Sequence, residues 1–175
     1  MSLENLWAPW RSGYIQEATA REREGGSTSD PEECVFCRIA ASGPPSVDNL
    51  VVWRGGLAFV TLNAHPYASG HLLVLPLRHV GGLEGLTEPE SAEVWWATRA
   101  AVSAIERAYD PDGLNMGANL GRAAGAGIPA HVHLHVLPRW SGDTNFMTSI
   151  AGVRVMPETL QSAWKKLSDA WPGVN

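Results

Sequence analysis

The chain has 175 residues, 45% hydrophobic and 18% charged, with a formal net charge of −5 at pH 7. That composition suits one globular domain with a sizeable core. It argues against a general binder of nucleic-acid polymers, which carries a basic footprint. No apolar run is long enough to span a bilayer, and no basic and then apolar leader opens the chain. The expected setting is therefore the cytoplasm, away from membranes.

The chain opens on an aromatic arm holding Trp7, Trp10 and Tyr14. Residues 16–33 follow, polar and rich in Gly and Ser, and read as a linker. Residues 1–33 are thus expected to be arm and linker, and residues 34–175 a single domain. The three arm rings must bury themselves on that domain or on a partner subunit.

The domain begins with Cys34-Val35-Phe36-Cys37, and the chain has no other cysteine. A lone C-x-x-C is shared by zinc sites and redox motifs, and two reduced cysteines can also simply pack as small apolar groups. Ser42-Gly43-Pro44-Pro45-Ser46 reads as a turn. Strands are expected at Leu50–Trp53, Leu57–Leu62 and Leu72–Leu77, with Arg54-Gly55-Gly56 turning the first two into a hairpin.

A long helix is expected from Thr87 to Tyr109. Thr87 and Glu90 have capping-box spacing, and Pro89 is tolerated in the first turn. Val94, Thr98, Ala101, Val102, Ile105 and Tyr109 recur at helical period, and Asp110-Pro111-Asp112-Gly113 should end the helix. Further strands are expected at Leu114–Leu120 and His131–Leu137, on either side of a Gly-rich turn, and a last helix over Pro157–Trp171. Strands gathered around one long helix, without β-α-β alternation, make the fold class α+β with an antiparallel sheet.

The segment His131-Val132-His133-Leu134-His135-Val136-Leu137 carries three of the six histidines. Strand alternation puts all three imidazoles on one face and Val132, Leu134 and Val136 on the other. The bland alternative is a half-buried strand whose polar face happens to be histidine. Three such rings can instead attack phosphorus, donate protons or bind a metal.

His-x-His-x-His followed by two apolar residues resembles the signature of the histidine triad family of nucleotide hydrolases and transferases. Asn63 to His79 resembles that family's second motif, and Leu137-Pro138-Arg139-Trp140 continues the match. Together these extend the likeness from about Cys34 to Asn145. Leu6-Trp7-Ala8-Pro9-Trp10-Arg11 and Pro138 to Phe146 are similar to the branch that includes bacterial diadenosine tetraphosphate phosphorylases.

The resemblance implies a five-stranded antiparallel sheet with helices on one side, usually paired in a homodimer. It implies that His133 is the nucleophile, passing through a nucleotidyl-histidine, that His135 supports the phosphates, and that His71 lies near and assists. Asn119 matches a phosphate-contacting side chain and Asn63 a ribose-binding one. Cys34, Cys37, His79 and His131 match the ligands of a structural zinc, which would leave only His133 and His135 of the triad for catalysis.

Gly125, Ala126 and Gly127 can bring backbone N–H groups close to phosphate oxygens, or form a plain flexible turn. Arg139 directly follows the triad strand. Trp140 either stacks on a base or packs in the core, with packing preferred.

One departure stands out. Gly127 and Ile128 occupy positions where many family members carry Gln and then Ser or Thr. The acceptor is therefore open between phosphate, water and another nucleophile. The preferred expectation is phosphorolysis of diadenosine tetraphosphate to ADP and ATP. Hydrolysis of dinucleoside polyphosphates or of nucleoside phosphoramidates is the nearest rival, and a nucleotide-binding regulator or a zinc-stabilised interaction module stands outside enzyme chemistry.

Overall fold

The computed structural model describes residues 30–143 and 156–173. The aromatic arm, most of the linker and residues 144–155 lie outside them. The last linker residues form a turn in which the Cys34 N–H donates to the Pro31 carbonyl.

A short helix the sequence reading did not anticipate, α1 (Val35–Ala41), opens the domain. Seven residues make too few internal hydrogen bonds to signal a helix by pattern. Packing holds it instead, because Phe36 and Ala40 bury against Val51, Phe59, Leu73 and Leu75.

The sheet follows in chain order: β1 (Val51–Arg54), β2 (Ala58–Leu62), β3 (Leu72–Pro76), β4 (Gly113–Gly117) and β5 (Leu134–Arg139). Its spatial order is β1-β2-β3-β5-β4, and every pairing is antiparallel. Arg54-Gly55-Gly56 makes the expected hairpin, with the Gly55 N–H donating to the Ala58 carbonyl at 2.9 Å.

The long helix α2 (Glu88–Tyr109) has the expected capping box, with the Thr87 side chain and Glu90 satisfying each other's backbone N–H. Asp110 adopts a left-handed conformation, φ 43°, and ends it. The last helix, α3 (Leu160–Ala170), is capped by the Thr159 side chain. It is shorter than Pro157–Trp171 because that cap comes two residues after Pro157.

Alternation on the strands divides the core in two. Val52, Ala58, Val60, Leu62, Leu72, Val74 and Val136 pack against Val94, Ala97, Ala101, Ala104 and Ile105 of α2 and Ala163 and Leu167 of α3. The opposite sheet face carries α1 and the histidines. Four alanines on the buried side of α2 (97, 100, 101 and 104) let that helix sit close on the sheet.

Two strand limits differ from the sequence reading by three residues, and the others by no more than two. The triad strand starts at Leu134 and not at His131, because the Val132 N–H goes to the Val80 carbonyl at 2.7 Å and the His131 N–H to Ile128. The strand expected at Leu114–Leu120 ends at Gly117, where its partner β5 has run back to His135. No helix among the described residues is long and apolar enough to cross a membrane.

Candidate active site and metal-ligand cluster

The histidines form two adjoining groups that meet at His131 and His133. In the first, His131 Nε2 lies 2.9 Å from the Pro76 carbonyl. A carbonyl only accepts, so Nε2 carries the proton and Nδ1 keeps a lone pair. That lone pair faces Cys34 Sγ and Cys37 Sγ, each at 3.5 Å. His79 Nδ1 approaches Cys37 Sγ at 3.3 Å. All four ligand atoms lie within 4.8 Å of one another.

The donor set fits a tetrahedral ion. Metal–sulfur bonds of about 2.3 Å and metal–nitrogen bonds of about 2.0–2.1 Å give S···N edges of about 3.5 Å, close to the distances found. Burial, followed by the neighbouring Cys34 thiol, pushes the Cys37 thiol up to about 11. A bound cation would reverse that by stabilising the thiolates. The cluster can hold a metal ion.

Three separate pieces of chain supply the four ligands. α1 sets the two cysteines one turn apart, β3 runs out to His79, and the turn before β5 delivers His131. Arg78 ties the second piece down, since its guanidinium pairs with Glu90 at 2.7 Å and bonds the Gly85 carbonyl. The residue beside a ligand is thus fastened to the cap of α2.

The second group is arranged differently. His133 Nδ1 lies 2.9 Å from the His131 carbonyl, so Nδ1–H donates and Nε2 keeps its lone pair. Burial lowers the pKa of His133, which favours the neutral, nucleophilic imidazole at pH 7. The Phe36 ring packs against both His131 and His133, with centroids at 5.7 and 5.0 Å.

His135 lies beside His133, with ring centroids 5.1 Å apart. Its Nδ1 is 2.9 Å from His71 Nε2. The direction of that bond follows from His71 Nδ1, which accepts from the Tyr67 backbone N–H at 3.0 Å. His71 Nε2 must therefore hold the proton and donate it to His135 Nδ1, leaving the His135 proton on Nε2. That Nε2 is buried and has no hydrogen-bond partner among the described residues. Burial first, then His133, lowers His135 to about 4, so it stays neutral at pH 7. A buried N–H without an acceptor is costly, and an anionic oxygen placed there would satisfy it.

The other expected site residues fall at differing places. Asn63 does not stand free, since its Nδ2 lies 3.3 Å from His71 Nδ1 and its Oδ1 accepts from the His65 N–H. Asn119 is half-buried just beyond β4. The N–H groups of Gly125 and Ala126 bond to Arg122 and Gly121 within their own turn, so of the three only Gly127 lies outside it. Arg139 is paired with Asp143 at 2.6 Å and with the Asn115 side chain at 2.7 Å. Trp140 packs edge-on against Tyr109, with centroids at 6.1 Å.

Tyr67 was missed by the sequence reading. Its ring lies 4.7 Å from that of His71 and stacks on His135 at 5.7 Å. It sits on a loop without periodicity, and its only sequence signal is the short distance to His71.

The comparisons with known proteins give the family. The family model described as HIT domain matches residues 45–142. AP-4-A phosphorylase of Mycobacterium tuberculosis strain H37Rv is 41% identical over 169 residues, 97% of this chain and 85% of that protein. The asymmetrical bis(5'-nucleosyl)-tetraphosphatase of Schizosaccharomyces pombe is 34% identical over 97 residues, 55% of this chain and 53% of that protein. Among solved structures, a Zn-bound histidine triad family protein from Mycobacterium smegmatis superposes with a TM-score of 0.64 at 26% identity, covering 81% of this chain and 94% of that one.

Proposed function

Because this chain belongs to the histidine triad family, we propose that it is an enzyme that phosphorolyses diadenosine tetraphosphate to ADP and ATP through His133. The observation that carries the reading is the pair of fixed tautomers. His133 presents a bare Nε2, and His135 beside it presents a buried Nε2–H that lacks an acceptor.

In the first step the His133 Nε2 lone pair forms a bond to a phosphorus that carries adenosine. The bond from that phosphorus to its bridging oxygen breaks, and ATP leaves with the electron pair. The His135 Nε2–H donates to a non-bridging oxygen, whose charge grows in the transition state. In the second step a phosphate oxygen attacks the same phosphorus, the N–P bond breaks, and ADP departs as the pair returns to Nε2.

The 41% identity to a phosphorylase supports phosphate as the acceptor. Gly127 supports it too, because a Cβ there would meet no atom within 4 Å, so the space is open. Asn119, Gly127 and Asn63 are the proposed contacts to phosphate and ribose, and Arg139 with Trp140 borders the site. Hydrolysis is the second reading, favoured by the likeness to the tetraphosphatase. Product analysis with and without added phosphate decides between them. ADP and ATP in a phosphate-dependent reaction are expected, whereas AMP and ATP, or two ADP, without a phosphate effect would replace phosphorolysis by hydrolysis. Absence of any nucleotidyl-protein adduct or turnover would leave a nucleotide-binding protein.

Zinc is the proposed occupant of Cys34, Cys37, His79 and His131, in a structural role. Reduced thiols suit a cytoplasmic enzyme. A homodimer is also proposed, with β4 as one of the two edge strands of the sheet and Met116 exposed on it among the described residues, and with Trp7, Trp10 and Tyr14 of the arm contributing to packing. A monomer by light scattering, with a melting temperature indifferent to deletion of residues 1–15, would overturn that assembly.

A further inference from the structure

The connection between β2 and β3 lays one side chain back over the imidazole pair. The Tyr67 ring is 18° from parallel to His135 and tilted 47° against His71, while its own backbone N–H donates to His71 Nδ1. Asn63 Nδ2 supplies a second donor to the same nitrogen. The hydrogen bonds therefore run in one direction, from this loop into His71, from His71 into His135, and out at the His135 Nε2–H.

That line survives only while both rings keep their present orientation. An imidazole has a broad, roughly two-fold χ2 preference. A half-turn of His135 would put a carbon where Nδ1 now accepts and would swing Nε2 away from its present place. The Tyr67 backbone N–H and the Asn63 side-chain amide fix His71, but neither donates to His135. The contact that lies flat on His135 is the Tyr67 ring, which is 47% exposed on a loop and so is not needed to fill the core.

We infer that Tyr67 is a positioning residue: its ring, laid across His71 and His135, holds the two imidazoles in the single orientation and tautomer that aims the His135 Nε2–H at a phosphoryl oxygen. The inference rests on the proposed transfer to His133 and deepens it. The ring carries the effect, so phenylalanine should serve in its place.

The test uses the full chain and three proteins: wild type, Tyr67→Phe and Tyr67→Leu. Imidazole nitrogen resonances of histidine-labelled protein report the His135 tautomer, and steady-state assays with diadenosine tetraphosphate and phosphate report kcat and KM. In wild type and Tyr67→Phe, His135 is expected to be protonated on Nε2 alone, with kcat alike within about threefold. Tyr67→Leu should give a mixed tautomer at His135 and a kcat at least tenfold lower, with KM within about twofold.

A wild-type His135 protonated on Nδ1 overturns the inference whatever the variants do, so it remains testable even if Tyr67→Leu fails to fold. An unchanged kcat in Tyr67→Leu overturns it, as does a fall in kcat with the tautomer intact. A rise in KM alone also overturns it and makes the ring a platform for substrate. The resonances are read without turnover, so a wild type inactive on this substrate would defeat the proposed reaction and leave the tautomer result to stand separately.

Discussion

The backbone carbonyl of His131 accepts the Nδ1 proton of His133 at 2.9 Å. One residue thus turns its ring toward two cysteines and its carbonyl toward the proposed nucleophile. The first contact belongs to the metal-ligand cluster, and the second sets which nitrogen of His133 is free. The metal-ligand cluster and the proposed nucleophile therefore meet at a single residue.

His133→Ala should lower turnover of diadenosine tetraphosphate by at least about a thousandfold, because losing the nucleophile removes the covalent route altogether. His133 is mostly buried, but its neighbours His131 and His135 keep their own hydrogen bonds to Pro76 and His71. The fold and nucleotide binding should therefore persist. Turnover within tenfold of wild type would remove His133 from the mechanism.

Protein purified without chelator should contain about one zinc per chain, and Cys34→Ser or Cys37→Ser should lose it. Binding energy at a structural site is folding energy, so each variant should melt at a lower temperature. Because His131 is both a proposed ligand and the acceptor of the His133 Nδ1 proton, activity should fall along with metal content. A metal-free protein as stable and active as the loaded one would mean two packed, reduced cysteines instead.

Much of the fold was legible because local pattern and tertiary packing agree. The Thr87–Glu90 box, the apolar stripe of α2 and the stop at Asp110 all appear where the spacing placed them. The triad strand shows the limit. Alternation correctly sets the histidines on one side, with Leu134 and Val136 toward the helices. It could not reveal that Val132 bonds to Val80, which keeps His131 and His133 out of the ladder. The metal-ligand cluster joins Cys34 to His131 across 97 residues, so only the family resemblance could bring those four together. Tyr67 gave little signal beyond its nearness to His71 in the chain, because its contacts with His71 and His135 depend on ring faces meeting in three dimensions.

Glu90 connects stability to pH. Its carboxylate accepts from Arg78 at 2.7 Å and from the Thr87 N–H at 2.8 Å. The Arg78 hydrogen bond first, then the Thr87 backbone, hold it down at about 2. A carboxylate depressed in the folded state stabilises above its unfolded pKa and loses that contribution as pH falls through the folded value. Glu90→Gln keeps an amide oxygen that can still cap the Thr87 N–H but loses the charge that pairs with Arg78, so it should lower the melting temperature modestly at pH 7. The gap from wild type should hold down to roughly pH 4.5, then close toward pH 2. A gap that widens on acidification would contradict the ion pair as its source.

Gly127 is the proposed place at which the acceptor is chosen. Gly125 and Ala126 spend their N–H groups inside the turn, so they are poorly placed to bind a free phosphate. Gly127 lies beyond that turn on the way to His131, and a Cβ added to it would touch nothing within 4 Å. A larger side chain there should cost the fold little, so its effect on rate reports on the space it fills. Gly127→Gln should reduce the phosphate-dependent rate more than any residual hydrolysis, shifting products from ADP and ATP toward AMP and ATP. Ile128 cannot compensate, since it carries no hydroxyl and packs against the cluster around Phe36. The measurement is the product ratio at fixed substrate over a series of phosphate concentrations. An unchanged ratio in Gly127→Gln would place the phosphate acceptor elsewhere, and a wild type indifferent to phosphate would make water the acceptor.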